Sequence, residues 1–231
     1  MQAKRRSSRL LPLAATIAGM TLAPVSRADD FVCDATAALV TVDNQVIHGN
    51  VIALGPFACM LRGVQVMGEV ILGDAGNVIL NVCPGCGPNG ENVRTDVHGG
   101  IRTQGTAWKL GVFGNSTLRG HVRLDDTFPF FGGATLICAS EIYGSVQLRD
   151  NETPIFVGTT NDDQGVGVGY CGSSGPTVHG TLQILGNRAP IDVSHAAMTG
   201  NLQCRDNDFP PTSIGGDVTV GGRAQGECAG F

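Results

Sequence analysis

The chain of 231 residues carries 20 acidic and 15 basic side chains. Residues 1–28 hold five of the basic side chains and none of the acidic ones, so the rest of the chain has ten basic against twenty acidic groups, a formal charge of -10. Such a surface repels nucleic acid and anionic lipid, which argues against both as partners. Beyond residue 28, no run approaches the roughly 20 apolar residues of a membrane span.

Residues 1–28 have the pattern of a secretory signal peptide. A basic group at residues 4–9 precedes an apolar run at residues 10–25, and Ala28 supplies a small residue at the cleavage position. We therefore expect cleavage after Ala28 and a secreted protein, either extracellular or periplasmic.

From residue 47 onward a short pattern recurs eight times, with an apolar residue two positions before a glycine and another two positions after it. The glycines are Gly49, Gly68, Gly99, Gly120, Gly144, Gly180, Gly200 and Gly222. Residues two apart face the same side of a strand. Each copy therefore predicts one strand with an apolar inner face.

The spacing of these glycines predicts the fold class. Five of the seven intervals lie between 19 and 24 residues, and the other two, of 31 and 36 residues, fit the same unit with inserted loops near residues 83–94 and 160–176. A unit of this length is too short for a strand and a crossover helix. We predict one all-β domain, residues 47–231, forming a disulfide-stabilised β-helix or β-solenoid of about eight rungs.

Two polar columns follow from the same alignment. Three residues after the glycine, on the outward side, the third to eighth copies carry Arg102, Arg123, Gln147, Gln183, Gln203 and Gln225. Seven residues after the glycine, three copies carry Asn151, Asn187 and Asn207. Asparagine tolerates left-handed backbone angles and hydrogen-bonds to stacked copies of itself, so we expect an asparagine ladder at a corner of the solenoid.

The first two copies have apolar residues in the outward column, which is polar in the other six copies. These residues are Ile52 and Ile71, and Met67 lies nearby. We expect residues 29–46 to lie across this apolar face as an N-terminal cap, since an open solenoid end templates aggregation. The alternative is that Ile52, Met67 and Ile71 form the interface of a homo-oligomer.

The cysteines predict disulfides. All eight lie after the signal segment, at Cys33, Cys59, Cys83, Cys86, Cys138, Cys171, Cys204 and Cys228. An even number in an oxidising compartment predicts up to four bridges. Cys204 and Cys228 lie in neighbouring copies of the repeat and are the best-supported pair. Cys83 and Cys86 have the spacing of a redox or zinc motif, but the loop sequence that follows them fits a loop disulfide better.

The sequence gives only weak indications of a metal site. Asp162 and Asp163 lie in the second inserted loop, where calcium binding is conceivable, but the ligand spacing of an EF-hand is missing. His48, His98 and His179 share an outward column, but gaps of two or three rungs separate them, too far for one ion. We predict neither a metal nor a cofactor.

Asp192, Ser194 and His195 contain the residue types of a catalytic triad. Their closeness along one strand or turn does not give triad geometry. The chain also lacks the G-x-S-x-G nucleophile motif.

The strongest enzymatic interpretation centres on Arg102 and Arg123, which stand on consecutive rungs and precede Asp125 and Asp126. Polysaccharide lyases and glycosidases with a β-helix fold bind sugar chains along such a face, although this is an analogy of fold alone. Paired carboxylates can act as acid and base. Adjacent residues on a strand point to opposite sides, however, so we expect Asp125 and Asp126 to end the strand at a solvated corner.

The last 35 residues contain several distinctive strings, namely Gly200-Asn201-Leu202-Gln203-Cys204, Asn207, Pro210, Pro211, Val220-Gly221-Gly222 and Gln225-Gly226-Glu227-Cys228. In these strings the C-terminal stretch resembles the ends of small secreted bacterial β-solenoid proteins. Those proteins close on a glycine, glutamine, cysteine string, from which Glu227 departs. The resemblance implies a secreted, disulfide-bonded protein and carries over no functional residue.

The expectation from sequence is a non-catalytic structural or binding protein of the cell surface or extracellular space, with a polysaccharide or a cell-surface component as partner. The alternative is a small polysaccharide-active lyase or glycosidase on an outward face of the solenoid.

Overall fold

A computed structural model describes residues 29–80, 94–107, 109–112, 116–129, 133–158, 175–214 and 216–231. All the regular elements in these ranges are β-strands, and they form three parallel sheets that we call A, B and C. The chain visits the sheets in the order A, B, C and then returns to A one strand further along. The protein is therefore a three-sided β-solenoid, and the predicted fold class is confirmed.

Short strands make up each sheet. Sheet A contains Phe31–Asp34, Val51–Leu54, Val70–Leu72, Ile101–Thr103, Val122–Asp125, Val146–Arg149, Leu182–Leu185, Leu202–Arg205 and Ala224–Gly226. Sheet B contains Val40–Asp43, Cys59–Arg62, Asn77–Leu80, Lys109–Val112, Thr135–Ile137, Ile155–Gly158 and Ile191–Ser194. Sheet C contains Val46–Ile47, Gln65–Val66, Thr95–Val97, Ser116–Leu118, Glu141–Ile142, Thr177–Val178, Ala197–Met198 and Thr219–Val220.

The strand alternation sorts apolar side chains inward and polar ones outward. In the fifth strand of sheet A, Val122 and Leu124 are fully buried, whereas Arg123 between them is exposed. Because successive side chains of a strand point to opposite faces, the inner residues of all three sheets meet in one core that runs through the solenoid.

The repeated glycines stack in a column at the corner between sheets C and A. Gly68 N donates to Gly49 O at 3.0 Å, and Gly99 N donates to Gly68 O at 2.9 Å. A Cβ atom on Gly99 would lie 2.5 Å from the oxygen of Gly68, and one on Gly200 would lie 2.5 Å from that of Gly180. The column therefore requires glycine because the backbone of one turn rests directly on that of the next.

The asparagine ladder is also confirmed. Asn151 Nδ2 donates to Asn187 Oδ1 at 2.8 Å, and Asn187 Nδ2 donates to Asn207 Oδ1 at 2.9 Å. Asn151 and Asn187 are buried. The ladder starts at Thr127, whose backbone and side chain both donate to Asn151 Oδ1. It ends at Glu227, whose two carboxylate oxygens accept from Asn207 N and Nδ2 at 3.1 and 2.6 Å.

The disulfides lie inside the core at both ends of the solenoid. Cys204 and Cys228 form the predicted pair, and Cys33 pairs with Cys59 across the first two turns. These four cysteines are buried. Cys138 is also disulfide-bonded. The remaining predicted cysteines, Cys83, Cys86 and Cys171, lie outside the described residues, as do the signal segment and most of both inserted loops.

Residues 29–46 form the first turn of the solenoid and do not lie across its outer face. Phe31–Asp34 pairs in register with Val51–Leu54, which places Val32 beside Ile52. Val32 therefore lengthens the apolar stripe that the segment was expected to cover, and its side chain is 53% exposed. In the same stripe, Ile71 is 7% exposed and Ile52 is partly buried.

Candidate functional site

The outer face of sheet A presents the predicted polar column without a break. Arg102 pairs with Arg123, Arg123 with Gln147, and Gln147 with Gln183 in the strand register. Gln203 and Gln225 continue the column on the next two strands. Because parallel strands lie roughly 4.8 Å apart, these six side chains span about 24 Å along the solenoid axis.

The two arginines of the column are both held by carboxylates. Arg102 Nε donates to Glu69 Oε2 at 2.9 Å, and Arg123 Nε donates to Asp125 Oδ2 at 2.5 Å. The structure thus brings Arg102 and Arg123 together, as predicted. It also shows that each guanidinium is already neutralised by a neighbouring side chain.

Asp125 and Asp126 lie at the corner between sheets A and B. Asp126 adopts φ 54° just after its strand, and Asp150 and Asp206 adopt φ 53° and 59° one and three turns later. The strand therefore ends at this corner as expected, with Asp126 exposed to solvent and Asp125 partly buried. The two carboxylates line a depression of about 530 Å³, together with Asp150 and Glu152. Asp125 Oδ1 is buried there without a hydrogen bond.

The glutamines supply the hydrogen-bonding groups of the column. Gln183 Nε2 donates to Gln203 Oε1 at 2.9 Å. Gln147 and Gln225 form no side-chain hydrogen bond within the part of the chain that the structure describes. A shallow depression of about 350 Å³ runs past Gln183, Gln203 and Gln225. Each amide offers both a donor and an acceptor to a ligand.

Sheet C carries a second polar network, which the sequence did not predict. Asp96 accepts two hydrogen bonds from Arg119, at 3.2 and 2.9 Å, and lies 3.5 Å from His98 Nε2. Gln65 Nε2 lies 3.1 Å from the same ring nitrogen. The pairing with Asp96 raises the pKa of Arg119.

The network continues around Glu141. Tyr143 Oη donates to Glu141 Oε1 at 2.8 Å, and His179 Nε2 lies 3.4 Å from the same oxygen. The rings of Tyr143 and His179 stack with centroids 4.6 Å apart, and Arg94 Nη2 lies 3.2 Å from Glu141 Oε2. The hydrogen bond from Tyr143, helped by His179 and Arg94, lowers the pKa of Glu141, while the same bond raises the pKa of Tyr143.

The positions of these residues within the repeat contain a signal from which this network could be predicted. Asp96 and Glu141 both stand three residues before a repeat glycine, on the outward side of the short strands Thr95–Val97 and Glu141–Ile142. His98, Tyr143 and His179 stand directly before their glycines, and the carboxylates that they contact stand two positions earlier in the repeat. His98 and His179 are therefore parts of a hydrogen-bonded surface, and the described residues contain no group of three or more potential metal ligands.

Asp192 and Ser194, two of the triad-like residues, have a structural role. Ser194 Oγ donates to Asp192 Oδ2 at 2.5 Å, and both side chains are buried. The other oxygen, Asp192 Oδ1, accepts from Thr212 Oγ1 at 3.1 Å and from Ile214 N at 2.8 Å. Asp192 thus fastens the segment around residue 212 to the edge of sheet B. The suggested calcium ligands Asp162 and Asp163 lie outside the described residues.

In the ranges that the structure describes, no helix has the length and apolar character needed to cross a membrane. The observed disulfides are consistent with folding in an oxidising compartment. Comparison with protein-family models, with curated proteins and with solved structures finds no match.

Proposed function

We propose that the protein is an exported, non-catalytic binding protein of the cell surface or extracellular space, and that the outer face of sheet A is its binding surface. The observation that carries this proposal is the column of six long polar side chains, from Arg102 to Gln225, held in strand register. A repeating surface suits a repeating polymer, because equivalent groups of the ligand meet equivalent side chains on successive strands. A polysaccharide is such a polymer.

Export is supported by two independent features. Residues 1–28 have the basic, apolar and small-residue pattern of a signal peptide. Disulfides at both ends of the solenoid fit the oxidising environment outside the cytoplasm.

We propose a non-catalytic protein because the candidate catalytic side chains are held in ion pairs with one another or with neighbouring residues. Arg123 and Asp125 bind each other, and Arg102 binds Glu69. Hydrolysis of a glycosidic bond normally needs two carboxyl groups that flank the bond, one of them protonated. Asp125 and Asp126 are consecutive residues at a corner, an arrangement that favours a structural role.

A polysaccharide-active enzyme is the second candidate, and one observation favours it. Asp125, Asp126, Asp150 and Glu152 line the corner depression of about 530 Å³, which lies beside Arg123. A sugar chain bound on the column would reach these carboxylates at its edge.

One experiment separates these functions. The oxidised protein is incubated with immobilised and soluble polysaccharides, and both retention and the release of new chain ends are measured. Retention without cleavage supports the proposal. Cleavage that is lost in Arg123→Ala or Asp125→Asn would establish the enzyme instead, and neither retention nor cleavage would indicate a purely structural protein.

A further inference from the structure

We infer that the ligand of sheet A is an electrically neutral, extended polysaccharide that lies along the solenoid axis. This inference rests on the proposed function and specifies the chemistry of the ligand. It follows from the charge balance of the face, from the hydrogen-bonding capacity of its amides and from the apolar end of the same column.

The arginines on the outer face of sheet A are all neutralised by carboxylates. Four arginines point outward from its strands, and each forms an ion pair at 2.5 to 2.9 Å. The pairs are Arg102 with Glu69, Arg123 with Asp125, Arg149 with Asp150, and Arg205 with Asp206. A polyanion would meet guanidinium groups whose charge is already balanced by these carboxylates, which weakens its electrostatic attraction to the face. It would also approach a chain with ten more acidic than basic groups after residue 28, so the long-range field opposes its binding.

The neutral part of the column matches hydroxyl groups. Gln147 and Gln225 have unpartnered side-chain amides within the described ranges. In the Gln183 to Gln203 hydrogen bond, Gln183 keeps its carbonyl oxygen and Gln203 keeps its NH₂ group for a ligand. A sugar hydroxyl both donates and accepts, as an amide does. Four amides in succession therefore offer a neutral polysaccharide a hydrogen-bonding partner on each of the last four strands of sheet A.

The other end of the column fits the apolar side of a sugar ring. Val32, Ile52 and Ile71 occupy the same outward positions on the first three strands, and Arg102 follows Ile71 in register. Pyranose rings present C–H groups on their faces, and these can pack on branched aliphatic side chains without any charge. Val32 is 53% exposed and Ile52 is partly exposed, whereas Ile71 is only 7% exposed. An uncharged, extended chain therefore meets apolar groups at Val32 and Ile52 and hydrogen-bonding groups along the glutamines.

The test uses affinity electrophoresis of the oxidised protein against neutral polymers (laminarin, xyloglucan, galactomannan) and acidic ones (polygalacturonate, alginate, hyaluronan). Each is measured in about 20 mM and about 500 mM NaCl, because the higher salt screens exposed charges. We expect retention by at least one neutral polymer, with an affinity that changes less than about twofold between the two salt concentrations.

Variants then locate the site. Gln147→Ala and Gln183→Ala each remove one ligand hydrogen bond and should weaken binding about 2- to 10-fold. The matched control is Gln65→Ala, which removes a glutamine from the outer face of sheet C and should leave binding unchanged. Equal loss in the control, or no loss in the sheet A variants, overturns the assigned surface.

The outcomes distinguish this inference from the function on which it rests. Retention only by acidic polymers, abolished at high salt, overturns the neutral ligand but leaves the binding function intact. No retention by any polymer refutes both.

Discussion

Replacing Asn187 by alanine tests whether the asparagine ladder is a main source of stability. The side chain of Asn187 is 1% exposed and takes part in four hydrogen bonds. It accepts from Asn151 N and Nδ2 and donates to Asn207 Oδ1 and Leu148 O, at 2.8 to 3.1 Å. At about 1 kcal/mol for each hydrogen bond, the substitution should lower the free energy of unfolding by about 4 kcal/mol.

Asn201→Ala is the matched control, because its side chain accepts a single backbone hydrogen bond, from Arg223 N at 2.8 Å, and is only partly buried. Its expected cost is about 1 kcal/mol. Both free energies are measured by urea unfolding of the oxidised proteins at pH 7. If Asn187→Ala costs no more than the control, the ladder is a consequence of stacking and contributes little to stability.

Three further predictions concern other parts of the solenoid. The disulfide between Cys204 and Cys228 links residues 24 apart in sequence. Replacing both cysteines by serine should lower the free energy of unfolding, measured with urea, by about 3.5 kcal/mol according to the chain-entropy relation. Gly99→Ala should cost about 1–3 kcal/mol because its Cβ would meet the backbone of Gly68, whereas Gly230→Ala, with no atom within 4 Å, should be neutral in the same assay. The pKa of Glu141 is lowered in the folded protein, so its ionised carboxylate stabilises the fold above the pKa of the unfolded chain, and this stabilisation is lost as the pH falls. The difference in unfolding free energy between wild type and Glu141→Gln should therefore shrink below about pH 4. A difference that stays constant with pH would contradict this expectation.

The regular part of the fold can be predicted because, in every turn, the buried face requires an apolar side chain at every second residue of a strand. The glycine column, the apolar residues around each glycine and the asparagine ladder are all repeated features, and their repetition is visible in one sequence. Cys204 and Cys228 were predictable for the same reason, since both belong to copies of the repeat.

The glycine pattern does not predict the first turn, residues 29–46, because this turn lacks the repeat glycine. Gly49 stacks on Asp29, which occupies the glycine position of the first turn. The later glycines are required because another turn packs beneath them. Nothing described lies beneath Asp29, so a side chain is tolerated there and the pattern disappears from the sequence. Without that turn, the pairing of Cys33 with Cys59 could not be predicted either.

The outward contacts of sheet A are easier to predict from sequence than those of sheet C because the strands of sheet A are longer. A four-residue strand of sheet A such as Val146–Arg149 shows its alternation within the strand. A strand such as Glu141–Ile142 has two residues, and its outward contacts depend on pairs in neighbouring turns. The stack of Tyr143 on His179 and the contact of His179 with Glu141 are set by this pairing across turns.

Glu227 shows how the end of a repeat array differs chemically from its interior. Each interior asparagine accepts two hydrogen bonds from the preceding turn through its oxygen and donates to the next turn through its NH₂ group. The last member has no following asparagine, so a donor there would have no ladder partner. Glu227 supplies one oxygen to Asn207 N and the other to Asn207 Nδ2, and a carboxylate has only acceptors. A glutamine at this position would supply one oxygen for both bonds and leave its NH₂ group unused. The carboxylate of Glu227 therefore suits the terminal position of the ladder.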